Sequence, residues 1–342
     1  MNREIRRRII IEWNTLIGNH LMKKVNWNSM QMKKIFFCWS LLLVFTCCKK
    51  SSRIEKVVEL KDYSSGSGIA YYREKVYLIG DDMNYILIAD TALNKLDTIT
   101  LQPGSGRIPK RIKQDVEGLS VLRTKGSSSL LLVGSGSVFP YRSKGWIIDL
   151  HNWQKRMIDL EPFYKRMQVS GVKEINIEGL ASIPGGIVLA NRGNKTNPKN
   201  YLVFTSSDFW TNPERPDIRV MKLGANTDTL SFSGVSGLEY SYKSDCLILT
   251  VSTENTYSSQ ADGSIGKSYL WIIENITAKK RLAAINPNRI IDLETIDQRF
   301  YGHKIESVCI ISETNSTYNL VLVADDDKGT SMLFKLELQK KD

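Results

Sequence analysis

The sequence predicts an all-β fold built from repeated four-stranded units. Three observations lead to this prediction. Short apolar runs with turn residues between them recur from residue 54 onward, a pattern typical of β-strands. Long stretches of helical periodicity are absent from the same region. Five segments also begin with a similar short pattern, and internal similarity of this kind indicates a repeat architecture.

Each repeat begins at a serine or glutamate, and glycine follows in four of the five cases. An apolar strand that ends in polar residues comes next, and a third strand follows it. The repeat starts are separated by 50, 61, 58 and 70 residues, intervals that suit a four-stranded propeller blade with variable loops. The five start residues are Ser67, Glu117, Glu178, Ser236 and Glu306.

The last repeat lacks a fourth strand, and a lone apolar segment, residues 54–60, precedes the first repeat. That segment is a candidate for the missing outer strand, because such pairing closes a ring of blades. We therefore predict that residues 49–342 form one β-propeller domain, most simply with five blades. Six blades are the alternative if the 70-residue interval contains a degenerate repeat.

Residues 32–48 are predicted to be a lipoprotein signal peptide. Two lysines precede an apolar run that is too short for an ordinary membrane-spanning helix and suits the hydrophobic region of a signal. The run ends at two cysteines, of which Cys48 (or Cys47) is the expected lipidation site. The expected localisation is the cell envelope, periplasmic or on the cell surface, with the membrane reached through the lipid anchor. A short buried helix is the alternative interpretation of this run.

Residues 1–31 are interpreted as an upstream extension of doubtful status, because Met32 opens a natural signal sequence. A basic cytoplasmic tail is the alternative. The net charge of the whole chain is +11, but residues 1–31 carry +4 of it and residues 32–47 another +2. The remaining +5 gives no reason to expect a nucleic-acid partner. With three histidines and five cysteines, the chain is not a zinc-finger array.

The five repeat starts are the candidate metal ligands. The first strand of each propeller blade lines the central channel, so equivalent positions meet at the axis. Three carboxylates in one narrow channel repel one another unless a cation or solvent intervenes. Because these positions hold only oxygen ligands, Ca²⁺ fits them better than Zn²⁺. A water-filled channel with acidic walls is the alternative.

The order Ser, Glu, Glu, Ser, Glu resembles the axial Ca²⁺ site of the calcium-activated nucleotidases, or apyrases. Members of that family are five-bladed propellers that hydrolyse nucleoside di- and triphosphates. The residues that end the second strands also resemble that family in part, although a single arginine replaces an arginine pair; they are Asp81, Asp82, Arg192 and Glu254. Glu-Gly-Leu strand starts are similar to those of phytase-like and SdiA-regulated propellers. The chain most resembles an uncharacterised branch of this group found among Bacteroidetes lipoproteins.

The ends of the second strands open toward one face of a propeller, so their polar residues are the candidate site at the channel mouth. Arginine suits bidentate phosphate binding, and Arg142 and Arg192 are the candidate substrate clamps. Asp81, Asp82 or Glu254 would position an attacking water beside the metal. Further charges expected near the mouth are Lys110, Arg111, Asp325 and Asp326, the last two also consistent with a simple turn.

Two classes of function follow from these expectations. The first is an exported Ca²⁺-dependent phosphohydrolase or esterase acting on small phosphorylated ligands. The second is a non-catalytic surface propeller that binds a ligand or a protein partner. A monomer is expected in both cases.

Overall fold

The computed structural model describes residues 51–104, 106–124, 126–215, 217–224, 232–254, 265–326 and 329–341. Residues 51–342 form one compact unit. Its strands form five sheets arranged as a five-bladed β-propeller, which confirms the predicted fold and the predicted number of blades. The lipidation candidates Cys47 and Cys48, with the rest of residues 1–50, lie outside the described residues.

The first two blades are regular four-stranded antiparallel sheets in which each strand pairs with the next along the chain. Blade one comprises β2 (Gly66–Tyr72), β3 (Lys75–Gly80), β4 (Tyr85–Asp90) and β5 (Lys95–Thr100). Blade two comprises β6 (Val116–Thr124), β7 (Ser127–Gly134), β8 (Lys144–Asp149) and β9 (Lys155–Asp159).

Blades three and four carry the longer connections. Blade three comprises β10 (Ile177–Ile183), β11 (Gly186–Asn191), β12 (Asn200–Thr205), β13 (Arg219–Leu223) and the parallel two-residue strand β17 (Ala284–Ile285). Blade four comprises β14 (Ser233–Ser241), β15 (Cys246–Glu254), β16 (Ile265–Glu274) and β18 (Arg289–Asp292). Within the described part of the 70-residue interval there is no sixth sheet, and the segment instead holds helix α2 (Ile276–Lys279), β18 and the 3-10 turns Leu293–Thr295 and Gln298–Phe300.

The ring closes through the amino-terminal strand, as the sequence predicts. Blade five comprises β19 (Lys304–Glu313), β20 (Thr317–Asp325), β21 (Ser331–Gln339) and β1 (Arg53–Leu60). Strand β1 pairs antiparallel with β21, and Val57 lies opposite Phe334. Because β1 completes the last sheet, β21 is paired on both sides, with β1 and with β20.

Five hydrophobic clusters hold the blades together, one at each interface between neighbours. The cluster between blades one and two, for example, joins Tyr77 and Ile86 to Leu130 and Leu132. The cluster between blades five and one contains the buried thiol of Cys309, which is free like that of Cys246. Since every blade packs on two others, the core is a closed ring.

One α-helix was not expected from the sequence. Helix α1 (Glu161–Val169) follows β9 and buries Phe163, Tyr164 and Met167 in the cluster between blades two and three. The Tyr164 hydroxyl donates a hydrogen bond of 2.6 Å to the carbonyl oxygen of Gly134. Only two turns long, this helix offers too few apolar positions for its periodicity to be recognised. No helix in the described part of the chain is long and apolar enough to cross a membrane.

Every innermost strand has a β-bulge at its repeat start, the residue predicted to face the axis. In β14, for instance, Val235 and Gly237 pair with consecutive residues of β15, so Ser236 is the extra residue. The other four innermost strands have the same irregularity at the equivalent position. A bulge bends a strand and redirects a side chain, which is why one residue of each blade turns toward the axis.

The residue after the bulge packs against the next blade. A Cβ atom at Gly237 would lie 2.5 Å from the carbonyl oxygen of Glu306 and 2.8 Å from the Cα of Ser307. Backbone atoms cannot move aside as a flexible side chain can. Glycine is therefore required at this position by the close approach of blades four and five.

We expect Gly237→Ala to lower the free energy of unfolding by about 2–3 kcal/mol, because the added methyl group meets backbone atoms of the neighbouring blade. Chemical denaturation of the variant and the parent measures the change. Ser307→Ala is the matched control, since Ser307 occupies the equivalent position of blade five and already carries a Cβ. Equal stabilities for Gly237→Ala and the parent would contradict the assigned close approach.

A candidate metal and anion site at the channel mouth

The two axial serines are engaged by neighbouring backbone. The hydroxyl of Ser67 donates a hydrogen bond of 2.6 Å to the carbonyl oxygen of Val116. The hydroxyl of Ser236 donates one of 2.7 Å to the carbonyl oxygen of Ile305. Each serine thus binds the residue before the axial glutamate of the next blade. These two predicted ligands join neighbouring blades at the axis.

The three axial glutamates differ in the residue two positions earlier in the sequence. Asn176 donates a hydrogen bond of 2.5 Å to Glu178. The ammonium of Lys304 lies 2.9 Å from a carboxylate oxygen of Glu306. The residue two positions before Glu117 is an acid, Asp115, whose charge repels that of Glu117.

The carboxylates of Glu117, Asp81 and Asp115 form a cluster, the carboxylate group, in which one oxygen of each side chain lies within 4.8 Å of the others. Among the described residues, this is the group of three with the spacing of metal ligands. It lies where blades one and two meet at the channel mouth, since Asp81 follows β3 and Asp115 precedes β6. The group could hold a metal ion, and its oxygen-only composition suits a hard cation.

Lys113 supplies a positive charge inside this carboxylate group. Its ammonium forms an ion pair with Asp81 and lies 2.8 Å from Asp115. Burial lowers the pKa of Lys113, but the neighbouring carboxylates, Asp81 first, raise it by more, so the side chain stays protonated. Arg142 is a second cation at this place, with its guanidinium 2.7 Å from Asp115.

The nearby cations do not offset the cost of ionising Glu117. Burial raises the pKa of Glu117 well above its usual range, although the residue is not fully buried. Burial likewise raises the pKa of Asp81, and Lys113 opposes part of that shift. The other carboxylates that raise the pKa of Glu117 are Asp115, Glu178, Asp81 and Glu306.

An open cavity of about 570 Å³ at the channel mouth borders the carboxylate group through Asp81, whereas Asp115 and Glu117 do not line it. Its wall combines acids with cations. Arg107 donates to Asp82, with its Nε and Nη2 atoms 2.7 and 2.6 Å from one carboxylate oxygen. The Arg107 side chain is still 61% exposed, so it remains accessible to a ligand. Further charged residues on the wall are Asp81, Lys110, Lys113 and Asp325.

The two predicted arginine clamps lie beside the axis and do not line this cavity. Arg142 is bound to Asp115, as described, and to the hydroxyl of Ser137 at 3.0 Å. Arg192 lies 3.9 Å from Glu178 and donates a hydrogen bond of 3.3 Å to Ser252. Both guanidinium groups are almost fully buried. Each serves an acidic partner within the protein.

The remaining predicted site residues have separate surroundings. Asp326 accepts hydrogen bonds from the backbone and hydroxyl groups of Thr330, at 3.0 and 2.6 Å, and so closes a turn. Asp325 ends β20 and faces the mouth cavity. Arg111 is exposed and does not line that cavity. Glu254 ends β15, and its side chain lies outside the described part of the chain.

Sequence reasoning missed Lys113, Asp115 and Arg107. The charged residues Lys113 and Asp115 directly before the repeat start Glu117 were a usable signal, because they precede a position predicted to face the axis. Arg107 gave no such signal. It reaches Asp82 from the loop between β5 and β6, and this contact joins residues 25 positions apart.

A family model described as a family of unknown function, DUF6929, matches residues 62–338. The chain belongs to the DUF6929 family. The match covers all five blades except for β1 and the last residue of β21. No curated protein matches this DUF6929 chain.

Solved structures similar to this DUF6929 chain include propeller proteins of low sequence identity. A glutaminyl cyclase of Myxococcus xanthus is 10% identical with a TM-score of 0.47, over 85% of this chain and 98% of the other. A structural genomics protein of unknown function from Bacteroides thetaiotaomicron is 12% identical with a TM-score of 0.37, over 81% and 70%. A streptogramin B lyase is 8% identical with a TM-score of 0.37, over 82% and 97%.

We expect Glu117→Gln to stabilise the chelator-treated protein at about pH 8 and to change it little at about pH 4. The folded state raises the pKa of Glu117, so its contribution is favourable below the unfolded pKa and is lost as pH rises through the folded value. The glutamine therefore gains most where the native carboxylate is ionised. Thermal unfolding across this pH range measures the difference, expected to be a few degrees at the upper end.

Glu306→Gln is the matched control, because it is the same change in the same ring. Glu306 is paired with Lys304, so its loss should destabilise the protein at about pH 8. If both variants shifted the melting temperature in the same direction, the assigned difference between the two glutamates would be wrong.

Proposed function

We propose that this chain is an exported, lipid-anchored propeller that hydrolyses a phosphoester or phosphoanhydride bond of a small ligand. The reaction would require a bound divalent cation, for which Ca²⁺ is the first candidate. The cation would bind Asp81, Asp115 and Glu117, and the ligand would occupy the cavity that Asp81 lines. The observation that carries the proposal is a three-carboxylate group that shares Asp81 with an open cavity lined by exposed cations. Export and anchoring rest on the signal-like segment, residues 32–48.

The residues present fit a hard cation. The Oδ1 atom of Asp81 is buried and has no hydrogen-bond partner in the described part of the protein. An orphaned buried acceptor next to crowded carboxylates is the kind of group that a bound cation satisfies. All three side chains offer oxygen ligands, which Ca²⁺ prefers and which are less typical of a zinc site. Of the predicted five-residue ring, this set keeps Glu117; the axial serines donate their hydroxyl hydrogens to backbone carbonyls.

The roles of the chain's own residues follow from where they lie. Arg107 and Lys110 would bind phosphate oxygens from the cavity wall. Asp82, which lines the cavity and is not one of the metal ligands, would hold a water molecule through its Oδ1 and accept its proton as the water oxygen attacks phosphorus, while the leaving oxygen takes a proton from solvent. A bound divalent cation would supply charge neutralisation at the phosphoryl group. Arg142 and Arg192 would keep the axial carboxylates in place.

A non-catalytic ligand-binding propeller is the second candidate, and Lys113 favours it. The ammonium of Lys113 already contacts two of the three carboxylates, so the protein has a built-in counter-ion at this place. A site neutralised in this way would bind an anionic ligand through Arg107, Lys110 and Lys113 without a metal. The two candidates differ in whether Ca²⁺ binds and whether the ligand is turned over.

We expect Lys113→Met to destabilise the protein by about 3–5 kcal/mol without Ca²⁺, because two buried carboxylates lose their shared cation. Added Ca²⁺ should then restore much of the lost stability, since the cation binds where the ammonium was. Denaturation with Ca²⁺ or with chelator measures both effects. Lys110→Met is the control, an exposed neighbour for which a change within about 0.5 kcal/mol is expected. Failure of Ca²⁺ to stabilise Lys113→Met would argue against the metal site.

Turnover is tested by phosphate release from nucleoside di- and triphosphates, phytate and aryl phosphates, with Ca²⁺ or chelator, on residues 49–342. We expect Ca²⁺-dependent release and a loss of about 100-fold in Arg107→Gln. Arg299→Gln is the matched control, because Arg299 is also exposed and pairs with one aspartate, Asp297, but does not line the cavity. A folded, Ca²⁺-loaded protein inert toward the whole panel would leave the binding function as the better explanation.

A further inference from the structure

A second cavity, of about 240 Å³, lies at the other end of the propeller channel. The bulges and the mouth cavity are at the first residues of the innermost strands, whereas this cavity is lined by their last residues and the turns that follow. All five innermost strands contribute to it. We call it the lower cavity. Its polar lining residues include Ser120, Arg123, Ser182, Glu239, Lys243 and Glu313.

Glu239 is the carboxylate of the lower cavity that has acceptor capacity to spare. It accepts one hydrogen bond, of 3.1 Å, from the backbone N–H of its own neighbour Tyr240. The equivalent positions three residues after the bulge are small in blades one and two, Ala70 and Ser120, which leaves space beside the carboxylate. Burial raises the pKa of Glu239 to about 7, and Tyr240 and Arg123 oppose part of the shift.

Glu313, by contrast, is a carboxylate in the same cavity that already has a cation and hydrogen-bond donors as partners. It forms an ion pair with Lys340 at 2.5 Å and accepts hydrogen bonds from the hydroxyls of Ser241, at 2.6 Å, and Ser244. No described cation comes within ion-pair distance of Glu239, whose nearest positive charge is the more distant Arg123. The two glutamates therefore differ in what they can offer to a ligand.

Arg123 is the complementary group at the rim. It is exposed, and its guanidinium lies 6.0 Å from the ring centres of both Tyr72 and Tyr242. These aromatic contacts hold the guanidinium in place, while the described residues provide no carboxylate within ion-pair distance. Lys243 adds a second exposed cation to the rim. The lower cavity thus has the carboxylate of Glu239 inside and the cations Arg123 and Lys243 at its rim, and among the described contacts these groups form no ion pair.

We propose that the lower cavity binds a small zwitterionic amino acid, with its ammonium group on Glu239 and its carboxylate on Arg123. The ammonium would use the free acceptor sites of Glu239, and the carboxylate would take the planar guanidinium in a bidentate contact. The rings of Tyr71 and Tyr242 line the cavity and would cover the carbon chain between the two charges. This site is independent of the mouth cavity and of any metal.

The charge on Glu239 makes binding depend on pH. An ammonium ligand requires the ionised carboxylate, so affinity should fall as pH drops through about 7. Between about pH 8 and pH 6 the ionised fraction falls roughly tenfold, and the apparent affinity should follow it. The other charged or titratable groups around the lower cavity are Arg123, Lys243, Glu313 with Lys340, Tyr71, Tyr240, Tyr242 and Cys309.

The test is calorimetric titration of the full chain, with chelator present, using glycine, β-alanine and γ-aminobutyrate. This series separates the two charges by increasing lengths. We expect one member to bind better than propylamine and butyrate, which each carry one of its charges. Glu239→Gln should abolish binding, and the parent should bind about tenfold more weakly at pH 6 than at pH 8.

Arg123→Met should weaken the zwitterion while leaving propylamine unchanged. Arg73→Met is the matched control, because Arg73 also stacks on Tyr72, at 5.1 Å, but does not line the lower cavity. Arg107→Gln should have no effect, which separates this site from the mouth. The proposal is overturned if no zwitterion binds, if Glu239→Gln binds as well as the parent, or if butyrate binds best and more tightly at low pH. Melting temperatures confirm that each variant is folded.

Discussion

The bulge on each innermost strand is the constraint on which the rest of this propeller depends. Five strands approach one axis, and each can direct one residue at it only by leaving that residue out of the ladder. The following residue then meets the backbone of the next blade, so a side chain there is excluded where the approach is closest, as at Gly237. One local irregularity, repeated five times, thus sets both the sequence pattern and the width of the channel.

The same geometry creates an electrostatic problem, because three of the five inward residues are glutamates. The residue two positions before each glutamate determines how the charge of that glutamate is compensated. An amide at Asn176 and an ammonium at Lys304 satisfy their glutamates directly, whereas Asp115 adds a negative charge beside Glu117. Lys113 and Arg142 compensate Asp115, whereas no described residue pairs with Glu117 in the same way. This difference between equivalent positions places the three-carboxylate group at blade two.

The sequence predicted the blades and the axial residues because both repeat. Strand patterns and repeat starts recur along the chain, so each copy supports the others. Helix α1, Arg107 and Glu239 could not be found in this way, since each occurs once. Arg107 reaches Asp82 across 25 residues, and Glu239 is an acid where blades one and two hold Ala70 and Ser120. Unique contacts of this kind depend on packing, which a periodicity does not encode.

The two ends of the channel differ in charge because the inner strands expose different rows of residues at each end. At the mouth, acids and cations contact each other, so a ligand there must compete with Lys113 and Arg107 for partners that are already engaged. In the lower cavity, Glu239 and Arg123 stay apart, so a ligand gains contacts without breaking an ion pair. Replacing an existing pair offsets most of the energy of a new one. A metal or a multiply charged phosphate therefore suits the mouth cavity, whereas a small zwitterion, with one positive and one negative group, suits the lower cavity.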